Sequence, residues 1–391
     1  MRSLSDTIER LAAFRARRDV QIPAAADDRL RDFPEFGSNP GSLRARIYVP
    51  TSLTKDAPLV VVLHGCTQTA SAYDHGSGWS QLAEREGFAL LFPEQQRVNN
   101  PNLCFNWFVP GDIRRDGGEA LSIGQMIGAV VATYRLDRSR IFVTGLSAGG
   151  AMASAMLATY PELFAGGAII AGLPYGGAST VLEAFDRMRG HGGPDERELR
   201  SLLRNASRHH GPWPRLSVWH GMADRTVAPS NAEAIVGQWR DVHGLAESPN
   251  FSTMVDGCAR RVWLDADGRE AIEEYLIAGM GHGTPLSTRG ADALGASAPF
   301  MLERGISSTL QIARFWGLTL AQNERAHPAP RLSTSAAIEF SNAESASSIA
   351  ATPTVIAGAP LDDQSSASPP HAAGGVKKII EGALRAAGLI S

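Results

Sequence analysis

From about Arg44 to Gly317, short apolar runs alternate with stretches whose apolar residues recur at helical spacing. RARIYVP and APLVVVLHG read as strands, SQLAEREG as a helix, and FALLFPEQ as the next strand. In SIGQMIGAVVATYRL, Ile123, Ile127, Val130, Val131 and Tyr134 fall on one face of a 3.6-residue repeat, which predicts a helix. RIFVTG is a strand, and AGGAMASAMLATYP is the helix behind it, ended by Pro161. GGAIIAGL, RLSVWHGM and EEYLIAGM supply three more short runs. VVVL and AII are apolar at every residue, as strands covered on both faces must be. Such alternation predicts an α/β fold with a mostly parallel central sheet and helices on both faces.

The rhythm breaks in four places. In the N-terminal extension, residues 1–35, Leu4, Ile8 and Leu11 share a face and predict a short amphipathic helix. Within the α/β unit expected over 36–322, the charged stretch 181–214 reads as a helical insertion or lid. Residues 323–375 are dominated by Ala, Ser and Pro and cannot bury enough apolar area to order themselves, so they read as a flexible linker. In the last segment, 376–391, Val376, Ile379, Ile380, Ala383, Leu384 and Ala387 form the stripe of an amphipathic helix.

Composition narrows the classes. Net charge is -3, from 37 basic and 40 acidic residues, which implies no basic face for nucleic acid. No apolar run approaches the roughly 18 residues of a membrane span. The first residues lack the apolar core of a secretory signal, so a cytoplasmic protein is expected, or a secreted one if the true start lies elsewhere. Three cysteines, Cys66, Cys104 and Cys258, are too few for a disulfide-stapled scaffold. Three free thiols, or one bridge such as Cys66–Cys104 and a spare thiol, are both allowed.

VTGLSAGG holds the only G-x-S-x-G of the chain, Gly145-Leu146-Ser147-Ala148-Gly149. A β-branched strand runs into it and a small-residue helix runs out, the context of a nucleophile elbow in which Gly145 and Gly149 leave room beside the serine. A serine hydroxyl needs an imidazole to take its proton, and the imidazole needs an acid to hold it. In chain order the acid should follow the serine and precede the base. Asp224, just past the strand RLSVWHG, is chosen over Asp241, Asp256, Asp265 and Asp267, the last two reading as hairpin-turn residues in DADG. His282, in the glycine-rich loop GMGHGTP, is chosen over His243, His327 and His371. His64 and His220 each end a strand in an HG step, which suits loop shaping. An oxyanion needs two aimed N–H groups. Ala148 is expected to give one, and Cys66 or its neighbour Thr67 the other.

HGCTQTA, GSGWSQLAEREGF, FPEQ, CFNWF, GGEALSI, VTGLSAGGAMA, LATYPELFAGGAIIAGLPYG and GMGHGTP, in that order, resemble the poly(3-hydroxybutyrate) depolymerase family of α/β-hydrolase esterases. The similarity runs from about Leu59 to Trp316, and IIEGALRAAGLI also looks like a family ending. The resemblance implies Ser147 as nucleophile, Asp224 as acid, His282 as base, an oxyanion loop at Cys66, and a substrate rim with Thr67 and Trp107. It also implies a choice of substrates, since relatives include feruloyl and acetylxylan esterases. Secreted depolymerases of the family usually carry a signal and a separate polymer-adsorbing domain, and neither is seen in this sequence.

The expectation is therefore a serine carboxylic ester hydrolase that forms an acyl-enzyme and needs no metal or organic cofactor. Poly(3-hydroxybutyrate) or its oligomers are the first substrates expected, and feruloyl, acetylxylan or short-chain esters the second. A serine peptidase or an acyltransferase on the same fold are more remote readings. The terminal helix VKKIIEGALRAAGLI could adhere to a polyester granule surface.

Overall fold

The computed structural model of the protein describes residues 28–319. The helix expected near the N-terminus, the linker 323–375 and the terminal helix 376–391 lie outside the described residues.

Ten strands form one sheet: β1 (Arg31–Asp32), β2 (Arg44–Tyr48), β3 (Leu59–Leu63), β4 (Ala89–Glu94), β5 (Ile141–Leu146), β6 (Gly166–Ile170), β7 (Arg215–Gly221), β8 (Phe251–Val255), β9 (Cys258–Leu264) and β10 (Glu270–Ile277). Their order is β1-β2-β4-β3-β5-β6-β7-β10-β9-β8. The six strands from β4 to β10 in that order run parallel, while β1–β2 and β9–β8 close the edges antiparallel. This is the mostly parallel sheet of an α/β-hydrolase. A second small sheet pairs β11 (Thr284–Leu286) with β12 (Met301–Glu303).

The period-2 rule of a strand decides how β3 divides its side chains. Leu59, Val61 and Leu63 enter one apolar cluster, and Val60 and Val62 the other. Each cluster is roofed by helices. On the first face lie α4 (Gly118–Tyr134), α5 (Ala148–Thr159) and α8 (Ser230–His243), contributing Ile123, Met126, Met152, Ile235 and Trp239. On the second lie α1 (Ala70–Ser77), α2 (Trp79–Glu86) and α9 (Ser308–Phe315), contributing Tyr73, Trp79, Leu82, Leu310 and Phe315. A one-turn helix, α3 (Pro110–Ile113), precedes α4.

Two helices lie in the stretch read as an insertion: α6 (Val181–Met188) and α7 (Glu196–Asn205), the latter opened by a capping box between Asp195 and Glu198. α7 is tied to α8, since Gln238 Nε2 donates to the Leu199 carbonyl at 2.7 Å and Arg204 pairs with Asp241 at 2.6 Å. Between β9 and β10, Asp265 accepts from the backbone of Asp267 and Arg269, the tight turn that DADG predicts.

Parallel strands bring all their carboxyl ends to one edge. There, β3, β5, β7 and β10 release the loops that carry His64 to Thr67, Ser147, Asp224 and His282.

Candidate active site

Ser147 sits between β5 and α5 with φ 58° and ψ -118°, a conformation that costs a non-glycine residue free energy and persists only where its surroundings impose it. The surroundings are visible. Its N–H donates to the Ile170 carbonyl at 2.9 Å, and its carbonyl accepts from Ala151. A Cβ on Gly145 would lie 2.3 Å from the Gly149 carbonyl oxygen, and one on Gly149 would lie 2.3 Å from that of Leu63. Backbone therefore touches backbone on both sides of the serine, and only glycine fits. Helix α5 begins at Ala148, so the positive end of its dipole faces any negative charge that develops at the hydroxyl.

Asp224 is buried in the loop after β7. Its Oδ1 accepts from the backbone N–H of Thr226 at 2.8 Å and Val227 at 2.9 Å, and its Oδ2 accepts from His282 Nδ1 at 2.7 Å. Burial works to raise the carboxyl, but the hydrogen bond and charge of His282, the Val227 N–H and His220 outweigh it and hold the group below its ordinary value. A carboxylate only accepts, so Nδ1 carries the proton and Nε2 of the neutral ring is left with a lone pair. Nε2 is buried and has no hydrogen-bond partner among the described residues, the Ser147 hydroxyl included. Asp224 and His282 are thus joined, whereas the serine shares their sheet edge without being hydrogen-bonded to the imidazole. Contacts of this kind commonly tighten only with substrate bound. The Phe300 ring stands edge-on to the His282 imidazole with centroids 6.0 Å apart.

The other acids and bases considered are spoken for among the described residues, and His327 and His371 lie outside them. Asp241 pairs with Arg204, Asp256 accepts from Gln311 Nε2, and Asp265 and Asp267 pair with Arg269. His243 Nε2 bonds the Pro214 carbonyl. His220 lies beneath the acid, with Nε2 2.9 Å from the Val227 carbonyl and 3.5 Å from Asp224 Oδ2. His64 is fully buried: its Nε2 accepts from the Gln95 N–H at 3.1 Å, so Nδ1 donates to the Gly65 carbonyl at 2.8 Å. Burial pushes the basicity of both rings down, and each shapes a loop as a neutral imidazole.

The backbone N–H groups of Cys66 and Ala148 have no partner among the described residues. That of Thr67 is taken by the Asn102 carbonyl at 2.7 Å, which removes Thr67 as the alternative donor. Thr67 itself is exposed. Trp107, expected on the rim, is only 7% exposed and packs edge-on against Phe108, so most of its surface belongs to the core. Cys66 and Cys104 form a disulfide, and Cys258 is a buried free thiol. Sequence reasoning assigned no role to Gln95, Asn102 or Glu119, although FPEQ and GGEALSI contain two of them.

The family model for esterase PHB depolymerase matches residues 43–256. The chain is 42% identical over 318 residues to poly(3-hydroxyalkanoate) depolymerase C of Paucimonas lemoignei, covering 81% of this chain and 77% of that one. It is 32% identical to acetylxylan esterase A of Aspergillus oryzae, covering 67% and 85%, and 30% identical to feruloyl esterase B of Talaromyces stipitatus, covering 68% and 75%. The solved acetyl xylan esterase from Aspergillus awamori, 24% identical, superposes with a TM-score of 0.63 over 74% of this chain and 99% of that one, which shows the shared fold. The chain belongs to the esterase PHB depolymerase family and is a carboxylic ester hydrolase built on the α/β-hydrolase fold.

Proposed function

We propose that this protein cleaves polyesters of 3-hydroxy acids, or their oligomers, with Ser147, Asp224 and His282 as its catalytic residues. The observation that carries the substrate class is the 42% identity over 81% of the chain to a poly(3-hydroxyalkanoate) depolymerase, against 30–32% to the feruloyl and acetylxylan esterases. For the catalytic residues, support comes from the Asp224–His282 hydrogen bond beside a strained serine at the same sheet edge.

The steps follow from that geometry. His282 Nε2 takes the proton of Ser147 Oγ as it attacks the ester carbonyl carbon. The carbonyl oxygen becomes an oxyanion, and the N–H groups of Cys66 and Ala148 receive it. Collapse breaks the ester C–O bond, and His282 hands its proton to the departing alcohol. Water then repeats the sequence on the acyl-enzyme, releasing the acid and restoring the serine. Asp224 keeps the proton on Nδ1 and stabilises the imidazolium between transfers.

The Cys66–Cys104 disulfide supports work in an oxidising compartment over the cytoplasm expected from the first residues. Contact of the segment 376–391 with a polyester granule is part of the same proposal and rests on its apolar stripe.

The test is acid release from amorphous poly(3-hydroxybutyrate) granules, with methyl ferulate and acetylated xylan in parallel and Ser147→Ala as the blank. Release of hydroxybutyrate or its oligomers by the wild-type protein alone is expected. Turnover of the feruloyl or acetyl esters without any from granules would move the protein to that branch of the family.

A further inference from the structure

Three stretches, FPEQ, CFNWF and GGEALSI, meet at one carboxylate that takes no part in the proposed proton transfers, and through them it reaches a fourth, HGCTQTA. Glu119, in the first turn of α4, is fully buried. Its Oε1 accepts from Gln95 Nε2 at 2.6 Å and from Asn99 Nδ2 at 3.1 Å, and its Oε2 accepts from the Asn106 N–H at 2.9 Å. Gln95 Nε2 also donates to the Cys104 carbonyl at 2.9 Å. One carboxylate thereby gathers the whole connection that leaves β4. Burial pushes this carboxyl up to about 8, with the charge of Asp112 adding to the shift, while the Asn106, Gln95 and Asn99 donors oppose it.

That connection grips the Cys66 loop at three points. The Asn102 carbonyl accepts from Thr67 N–H, Cys104 is disulfide-bonded to Cys66, and the Gln95 N–H fixes the His64 ring whose Nδ1 holds the Gly65 carbonyl. Asn100 completes the frame: its Oδ1 accepts from the Asn102 N–H at 3.0 Å, and its Nδ2 donates to Asn106 Oδ1 at 2.9 Å. The grip has a visible consequence. Thr67 has φ +63°, a left-handed conformation that a β-branched residue adopts only when its neighbours hold it there. The Gly65 carbonyl held by His64 Nδ1 lies in the same peptide plane as the unpartnered Cys66 N–H, so that bond fixes where the N–H points, and the Thr67 N–H held by Asn102 fixes the next peptide beside it.

We infer that Glu119 is a positioning residue for the oxyanion hole, acting through the 95–106 connection to set the direction of the Cys66 N–H. The inference rests on the proposed role of that N–H as an oxyanion donor. A carboxylate that merely braced the core would change stability and leave the chemistry of the carbonyl oxygen untouched.

The experiment compares p-nitrophenyl butyrate with its thiono analogue, in which C=S replaces C=O. Sulfur is larger and a weak acceptor, so a hole built for oxygen prefers the oxo ester, and the ratio of the two kcat values reads the hole. Glu119→Ala, Glu119→Gln and the half-buried surface variant Asn100→Ala are measured beside wild type, each with a melting curve. Glu119→Ala and Asn100→Ala are expected to lower kcat on the oxo ester by roughly 10- to 100-fold with KM within about threefold, and to shrink the oxo/thiono ratio. Glu119→Gln, which keeps one carbonyl oxygen, should fall between them and wild type. Should Glu119→Ala fail to fold, Asn100→Ala and Glu119→Gln decide. An unchanged ratio in every folded variant would overturn the inference while leaving the hole in place. If wild type itself showed no preference for the oxo ester, the oxyanion reading would fall, and this inference with it.

Discussion

Replacing Gly149 by alanine places one methyl group where two backbone segments already touch. No unusual φ is involved, because Gly149 lies in the first turn of α5 and its backbone suits any residue. The obstacle is space. The new Cβ would stand 2.3 Å from the Leu63 carbonyl oxygen, 2.5 Å from that of His64 and 2.7 Å from the Leu63 carbonyl carbon, where ordinary contact begins near 3.4 Å. Chain must part from chain by ~1 Å, since none of these atoms belongs to a side chain that can rotate away. Overpacking of this kind costs about 1–3 kcal/mol, of which better helix propensity returns at most about 1. The parting also widens the gap between α5, which begins at Ala148, and the strand end that leads into Cys66. A displacement near 1 Å in a site of this kind costs on the order of 100-fold in rate. Gly128, exposed in α4 with nothing within 4 Å of its added Cβ, is the matched control. Gly128→Ala should stabilise by about 0.5–1 kcal/mol, raising Tm by roughly 2 °C with kcat unchanged. Melting curves and kcat on p-nitrophenyl butyrate measure both variants. Gly149→Ala with wild-type kcat and wild-type Tm, beside a control that behaves as expected, would refute the close approach of β3 and α5.

Three further outcomes can be checked with the same assays. Asp224→Asn keeps the shape of the acid loop but no longer holds Nδ1 protonated, so kcat should fall by roughly 10⁴-fold with KM little changed; a loss of less than about tenfold would remove Asp224 from the proposed mechanism. Reducing the Cys66–Cys104 bridge, or replacing both cysteines by serine, opens a loop closed by a sequence separation of 38. The entropic model then gives a loss of up to about 4 kcal/mol, seen as a lower Tm, and reductant should leave the serine variant's Tm where it was. Glu119 binds its proton more tightly when folded, from an ordinary 4.5 up to about 8. The stability it contributes is therefore fully present below about pH 4.5 and is lost as pH rises through about 8. Tm should decline over that window, and the decline should flatten in Glu119→Gln.

The alternation of β3, β5 and β10 with α4 and α5 was legible because buried strands and amphipathic helices write their neighbours into their own periodicity. Ser147, Asp224 and His282 could be nominated for a related reason: each follows an apolar strand directly, and a parallel sheet delivers such residues to one edge. What escaped depends on contacts without period. Glu119 looks like any acid at the start of a helix, and only the folded chain places it against Gln95, Asn99 and Asn106. Trp107, placed on the substrate rim by the family resemblance alone, is 7% exposed because its neighbours in space pack it into the core. The choice between Cys66 and Thr67 as donor turned on a single bond to Asn102, 35 residues away in the chain by the numbering of the two residues. The exposed strand β8 has Phe251 and Met254 on its open surface, so its pattern did not declare a half-buried strand.

The most direct measurement is mapping of the covalent adduct formed by a fluorophosphonate ester. An activated serine beside a working imidazole reacts with it and is trapped as the stable phosphonyl enzyme. The account predicts one adduct, on the peptide that contains Ser147, formed in step with the loss of ester hydrolysis and absent in His282→Ala. An adduct on another residue, or full hydrolysis remaining after Ser147 is modified, would contradict it.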